Sequence, residues 1–277
     1  MLTPEKKESF IKLLDDDTPA IRKALFEEFE RLGEEAVDFL RELALGAEEP
    51  TASNARVFLK EFLPHDTVGE FVEFIRGVDH DLEAGVLLLD QTVYPKLDLG
   101  EVSGFFDQVA KRARELMLLP CSSQDKCLVI NRVLFFEYAF RGNLEHFDDP
   151  LNSFLHQVIK RRKGIPISLS ILYLLVAQRC GIPLSPIGLP GYVMLGCFIE
   201  KEPFYIDPFK GGIMYSVRQM REVLKMRKVT FKKSYLEPIS VTEIIRRTCK
   251  NLVQHYTAQK QIALARLFAR FVHECEL

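Results

Sequence analysis

Apolar residues in the first hundred positions recur every three to four residues, a spacing typical of α-helices. Ile21, Leu25 and Phe29 fall on one helical face, so their segment predicts an amphipathic helix. Thr3 and Thr18 each precede a proline, and a capping residue followed by proline at the first helical position marks a helix start. The pattern therefore predicts a series of helices across the N-terminal part of the chain.

The pattern changes in residues 165–199, where thirty-five positions include one charged residue, Arg179. An uncharged window of this length can indicate a membrane span. Its second half, however, contains three prolines and four glycines, which would break the internal hydrogen bonding that lipid requires. We therefore expect a buried helix over residues 167–179. Buried strands of an antiparallel meander should follow it, over residues 184–189, 192–199 and 203–206.

Helical patterns also flank this region on both sides. Residues 13–25, LLDDDTPAIRKAL, resemble one HEAT-type helical repeat, with an acidic turn followed by a helix. Near the other end, Ser240 and Glu243 have the spacing of a capping box that opens a final pair of helices. That pair, broken near residues 258–261, looks like a single tetratricopeptide-type unit.

Composition and motifs narrow the function classes. With 47% apolar and 27% charged residues, the chain has the composition of a globular protein with a sizeable core. The six cysteines form no CxxC pair, and neither HExxH nor a glycine-rich nucleotide motif is present. We therefore expect no metal and no cofactor. The first residues lack an apolar signal segment, so a cytoplasmic protein is expected.

Charge is distributed unevenly along the chain. Residues 1–100 have a net charge of −12 and residues 101–277 a net charge of +10, although the whole chain has −2. This asymmetry indicates two regions with different surfaces that can attract each other. The overall charge argues against a general polyanion-binding protein.

Four sequence blocks between residues 131 and 212 resemble one known family. They read NRVLFFEYAFRGN from residue 131, DPLNSFLHQVIKRRKGIPISLSILYLLVAQRCGIPL from 149, GLPGY from 188 and YIDPFKGG from 205. In this order they are similar to the bacterial transglutaminase-like family named for the Sir-B type invasion regulator. The resemblance implies a transglutaminase-like core, with helices before it and tetratricopeptide repeats after it.

The wider superfamily has papain-like geometry, with a cysteine at a helix N-terminus and a histidine and an aspartate on neighbouring strands. The resemblance places the cysteine position at or near Pro166, the histidine position at Tyr192 and the aspartate at Asp207. Ser168 is the nearest hydroxyl to the cysteine position. Tyrosine is a poor general base at neutral pH and an unactivated serine is a poor nucleophile, so thiol chemistry is expected to be absent.

Each residue of this degenerate triad, Ser168, Tyr192 and Asp207, also has a purely structural interpretation. Ser168 can bond a free main-chain N–H at the helix start, and Tyr192 can pack over the core. Asp207 can form the turn before a proline. His156, which precedes the core helix by a turn or more, is a histidine that could approach the same site.

Two basic clusters are candidate anion-binding sites. They consist of Lys160, Arg161, Arg162 and Lys163, and of Arg227, Lys228, Lys232 and Lys233. A solvated surface is the simpler interpretation, and a phosphate-rich ligand is the alternative. Few aromatic residues are interleaved with these cations, which argues against binding of single-stranded nucleic acid.

Together these patterns predict an α+β, predominantly helical protein in three regions. These are an N-terminal HEAT-like helical region (1–95), a small papain- or transglutaminase-like core with an antiparallel sheet (96–239) and a C-terminal tetratricopeptide-like helical pair (240–277). The leading hypothesis is a non-catalytic regulatory or scaffold protein with an unidentified protein partner. The alternatives are a hydrolase or amide-transferring enzyme with a non-standard nucleophile, and a nucleic-acid-associated regulator. No membrane association is expected.

Overall fold

The computed structural model describes residues 3–16, 18–46, 50–62, 66–78, 80–118 and 120–277. The predicted regions 1–95 and 96–239 also contain residues 1, 2, 17, 47–49, 63–65, 79 and 119, which lie outside the described residues. Contacts between residues group the chain into two compact units, Met1–Glu70 and Phe71–Leu277. Each has its own buried core.

The first unit is helical, and its helices pack around phenylalanine side chains. Thr3 caps the first helix by accepting from the Lys6 N–H, as the threonine–proline pattern predicts. Phe29 is fully buried, with its ring edge-on to those of Phe10 and Phe58. The helices are α1 (Pro4–Leu14), α2 (Pro19–Leu32), α3 (Glu34–Gly46), α4 (Thr51–Phe62) and the start of α5 (Thr67–Arg76).

The second unit combines helices with a small sheet. Its remaining helices are α6 (Leu82–Gln91), α7 (Leu99–Leu116), α8 (Ser123–Asn131), α9 (Leu155–Arg161), α10 (Pro166–Arg179), α11 (Val217–Met226), α12 (Val241–Ala258) and α13 (Ile262–Glu274). A π-helical turn, Arg132–Glu137, follows α8 directly. A short parallel pair is formed by β1 (Arg141–Gly142) and β2 (Lys163–Gly164).

The main sheet is an antiparallel meander of four strands in the order of the chain. The strands are β3 (Leu184–Leu189), β4 (Tyr192–Cys197), β5 (Phe204–Asp207) and β6 (Ile213–Ser216). Leu189 pairs with Tyr192 across a two-residue turn, in which Gly191 has φ of +63°. That left-handed conformation is one that glycine adopts without steric cost. The first three strands match the predicted meander, whereas β6 was not predicted.

Helix α10 is the central element of the second unit. Ile171, Leu174 and Leu175 are all buried, so the predicted core helix is confirmed. The Ser170 hydroxyl donates to the Val193 carbonyl at 3.2 Å, which fastens α10 to β4. The α+β, predominantly helical class is also confirmed. Among the described helices, none has both the length and the apolar character needed to cross a membrane.

Candidate functional site

The start of α10 determines what the Ser168 hydroxyl can do. Pro166 occupies the first helical position, where its missing N–H costs nothing. Ser168 Oγ accepts from the Ile165 N–H at 3.0 Å and donates to the Ile165 carbonyl at 3.2 Å. The side chain is buried, so its hydroxyl is held by the main chain at the helix start. It acts there as a structural cap.

Tyr192 and Asp207 form a direct pair between β4 and β5. The Tyr192 hydroxyl donates to both carboxylate oxygens of Asp207, at 2.9 and 3.1 Å. Burial raises the pKa of the Asp207 carboxyl, against the opposing effects of the Tyr192 hydrogen bond and the Lys210 ammonium. Burial and the neighbouring carboxylate raise the pKa of Tyr192 well above its ordinary value. The phenol therefore stays protonated and serves as a hydrogen-bond donor.

The Tyr192 ring is enclosed on its face and its edge. The Arg227 guanidinium lies over the ring, with its carbon 3.6 Å from the ring centroid. Phe209 meets the ring nearly perpendicularly at a centroid distance of 6.1 Å. A cation over an aromatic face is attracted by the ring quadrupole. Arg227, predicted as an anion-binding residue, is thus engaged with Tyr192.

A pocket of about 610 Å³ opens at the start of α10. Its walls are the α10 start, the β3–β4 turn including Tyr192, the segment containing Phe147 and Asp148, and one side of α12. Tyr192 lines the pocket, and its hydroxyl is bonded to Asp207. Ser168 does not line it, and Pro166 does. Of the three positions that the resemblance assigns to the triad, Pro166 and Tyr192 line the pocket and Asp207 does not.

Helix α12 supplies the polar wall of this pocket, which the sequence patterns did not predict. Arg247 Nη1 donates to the Leu189 carbonyl at 2.8 Å and lies 3.5 Å from the Tyr192 carbonyl. Glu243 accepts from both Arg246 and Arg247, each through a 2.7 Å contact. The Arg247 bonds tie α12 to the β3–β4 turn, whereas the Glu243 bonds lie within α12. The helical spacing of these charged residues was visible in the sequence, but it gave no indication of which element they face.

His255 is the second pocket residue that the sequence patterns missed. Its side chain lines the pocket and is 5% exposed. Its Nδ1 atom is buried and has no hydrogen-bond partner among the described residues. Burial lowers the pKa of the imidazole, while the Asp148 and Asp149 carboxylates act in the opposite direction. A buried polar atom without a partner is costly, so this position favours a bound polar group.

His156 and the first basic cluster lie in other contacts. His156 Nδ1 is 2.7 Å from Asp90 Oδ2, and the ring does not line the pocket. Arg161 pairs with Asp149 at 2.6 Å, and Lys163 lies 3.8 Å from Glu145. The Arg162 guanidinium stacks among three aromatic rings, those of Phe105, Tyr138 and Phe140.

The remaining predicted anion-binding residues are on the surface. Lys160, Lys228 and Lys233 are exposed. Lys232 is also exposed, with its ammonium 5.9 Å from the centroid of the Tyr235 ring. These lysines are thus separate from the pocket lining, and their role as anion ligands stays a prediction.

Comparison with known proteins gives the class of the second unit. The model of the transglutaminase-like superfamily matches residues 101–250, more than half of the chain, and the chain belongs to that superfamily. The UPF0162 protein of Xylella fastidiosa is 33% identical over 145 residues, covering 51% of this chain and 50% of that protein. The UPF0162 protein of Vibrio cholerae is 30% identical over 135 residues, covering 48% and 50%.

A eukaryotic relative matches a similar stretch. F-box only protein 21 of Mus musculus is 34% identical over 146 residues, covering 50% of this chain and 23% of that protein. The chain thus spans at most about half the length of these curated relatives. No solved structure matches the chain.

Proposed function

We propose that this chain is a non-catalytic binding protein, of the Sir-B type, in which a transglutaminase-like core has a degenerate triad. Its pocket binds part of a protein partner without forming a covalent intermediate. The observation that carries this proposal is the hydrogen bond from Tyr192 to Asp207, at 2.9 Å. It occupies the carboxylate that, in papain-like geometry, orients a histidine base.

The chemical argument is that neither a nucleophile nor a base is available at the superfamily positions. Pro166 has no nucleophilic group, and the Ser168 hydroxyl is bonded to the Ile165 main chain. Tyr192 is held protonated and cannot accept a proton from a neighbour. Loss of a positioned general base alone costs on the order of 10²–10⁴ in rate. The absence of a thiolate adds to this loss.

The argument for binding is that a pocket is present at the start of α10, although the cysteine and histidine of the superfamily triad are not. Its volume of about 610 Å³ falls within the range of ordinary ligand pockets. Its α12 wall is polar, and the β3–β4 turn is fixed to that wall by Arg247. The similarity to F-box only protein 21 supports a role in protein interaction.

Labelling with electrophiles tests the non-catalytic assignment. The purified protein is treated with a fluorophosphonate and, separately, with iodoacetamide, and labelled sites are located by mass spectrometry. We expect no fluorophosphonate on Ser168. Iodoacetamide should react with the partly exposed Cys121 before Cys127, because burial raises the pKa of the Cys127 thiol to about 12. Stoichiometric labelling of Ser168 that Asp207→Asn abolishes would support the hydrolase instead.

A double variant serves as the positive control for this experiment. Pro166→Cys together with Tyr192→His restores a thiol at the α10 start and an imidazole beside Asp207. We expect this variant to be alkylated at residue 166 faster than the single variant Pro166→Cys. Equal alkylation rates would contradict the assignment of Tyr192 to the position of the base.

A further inference from the structure

We propose that the pocket binds a carboxylate of a protein partner, either a C-terminal carboxylate or an acidic side chain, with Lys250 and His255 as its main ligands. The proposal rests on the proposed function, because it takes the pocket to be a non-covalent binding site. It adds the chemistry of the ligand and the residues that recognise it.

His255 provides the first line of evidence. Its imidazole lines the pocket and is 5% exposed, and its buried Nδ1 has no partner within the part of the chain that the structure describes. A neutral imidazole carries one N–H donor, and a protonated imidazole carries two. Because Nδ1 has almost no accessible surface, an acceptor brought by the ligand would bond it once the ring turns toward the pocket, and the group would already be desolvated. A hydrogen bond from such a group to a carboxylate is stronger than one between two neutral groups.

The second line of evidence is the set of hydrogen-bond donors in the pocket lining. One part of the lining is the N-terminus of α10, a helix of fourteen residues, whose first-turn N–H groups lack partners within the helix. Another part is α12, which includes Lys250, whose side chain is 46% exposed and lies 3.4 Å from Glu276. Asn251 and Gln254 add amide donors to the α12 part. A carboxylate in the pocket would have donors from both helices available.

The acids around the pocket limit how much negative charge it can hold. Glu243 pairs with Arg246 and Arg247, and Glu276 pairs with Arg246 and Lys250. Asp148 is itself part of the lining. The three cations Arg246, Arg247 and Lys250 are thus balanced by three acids, so the pocket has no excess of positive charge. Recognition by hydrogen-bond donors suits a single carboxylate better than a phosphate-rich polyanion, which needs several unpaired cations.

Three short peptides test the proposal by NMR titration of the full chain. The first is Gly-Gly-Leu-Gly-Gly with a free C-terminal carboxylate and an acetylated N-terminus. The second is the same peptide as its C-terminal amide. The third is the amide with leucine replaced by glutamate. We expect either carboxylate peptide to shift the His255 ring and Lys250 resonances, and the neutral amide to leave them unchanged. The first and third peptides distinguish a chain terminus from an acidic side chain.

Substitutions of exposed residues keep the test independent of folding. Lys250→Ala should weaken binding roughly threefold to tenfold, as expected for one charge-assisted contact near the surface. Asp148→Asn should strengthen binding, because it removes a like charge from the lining. Lys228→Ala is the matched control and should have no effect, since that lysine is exposed but outside the pocket lining.

Several outcomes would overturn the proposal. These are equal shifts with the neutral amide, no shifts with either carboxylate peptide, or an equal effect of Lys228→Ala and Lys250→Ala. Absence of peptide binding together with an unlabelled Ser168 would overturn the carboxylate ligand and leave the non-catalytic function intact. Labelling of Ser168 that depends on Asp207 would overturn the non-catalytic function even where the peptides bind.

Discussion

At the scale of single residues, the pair Tyr192–Asp207 shows what a tyrosine can do beside a buried carboxylate. A histidine beside a buried aspartate can take up and release a proton near neutral pH. A tyrosine in the same place donates its hydrogen bond permanently, because burial and the Asp207 carboxylate raise its pKa. The pair Tyr192–Asp207 then becomes a fixed part of the core. Arg227, stacked on the ring, adds a cation that is also held in place.

The first residue-scale prediction concerns Asp207→Asn. Asp207 is 1% exposed, and burial raises its pKa above the ordinary value of 3.8. Its contribution to stability is therefore complete below the pKa of the unfolded chain and decreases as pH rises through the folded-state pKa. Asparagine keeps an oxygen that accepts from Tyr192 and does not titrate. The free energy of unfolding of Asp207→Asn should thus increase relative to wild type between pH 3 and pH 7.

Urea unfolding at several pH values measures this difference. Tyr192→Phe is the comparison variant, because it removes the donor and leaves the buried carboxylate. We expect it to lower stability at pH 7 by about 1–3 kcal/mol. If the difference in free energy of unfolding between Asp207→Asn and wild type is the same at every pH, the pKa of Asp207 is not raised in the folded protein.

At the scale of elements, the sequence predicts the secondary structure of a segment better than its tertiary contacts. The uncharged run of residues 165–199 predicted the buried helix α10 and the strands β3 and β4, and the residues just after it predicted β5, because apolar residues, prolines and glycines act locally. Strand β6 was missed, since its residues are half exposed and show no strong alternation. The α12 wall of the pocket was missed for another reason. Its residues lie more than fifty positions from Tyr192, and a helical pattern does not say which side faces a distant turn.

The bond from α12 to the β3–β4 turn leads to an element-scale prediction. Arg247 donates to the Leu189 carbonyl at 2.8 Å, and a β-carbon on Gly188 would lie 2.8 Å from the Arg247 guanidinium. We expect Arg247→Met to lower the free energy of unfolding by about 1–3 kcal/mol, because it leaves a carbonyl without its donor.

Arg246→Met is the matched control for this prediction. Arg246 pairs with the carboxylates of Glu243 and Glu276, and such surface pairs contribute about 0–1 kcal/mol. Urea denaturation measures the free energy of unfolding of both variants. If Arg246→Met lowers this free energy as much as Arg247→Met does, the contact between Arg247 and the β3–β4 turn is not the cause of the loss of stability.

At the scale of the whole molecule, charge and structure divide the chain in similar places. The first unit, Met1–Glu70, lies within the acidic hundred residues, and the basic clusters lie in the second unit. The second unit also contains the superfamily match and the pocket. The proposed binding through the pocket and the predicted attraction of polyanions to the surface lysines therefore involve different residues, so different substitutions should alter them.

The last prediction separates the contribution of the acidic region from that of the lysines. Residues 1–65 contain 15 acidic and 9 basic side chains, so a fragment of residues 66–277 has a net charge of +4 instead of −2. Provided that circular dichroism shows the fragment to be folded, it should elute from heparin at a higher salt concentration than the full chain. Lys232→Ala with Lys233→Ala in the fragment should reverse part of this gain, because both lysines are exposed. Lys250→Ala should reverse less, because that ammonium already lies beside Glu276. Elution of fragment and full chain at the same salt concentration would mean that the acidic residues do not weaken polyanion binding by the basic surface.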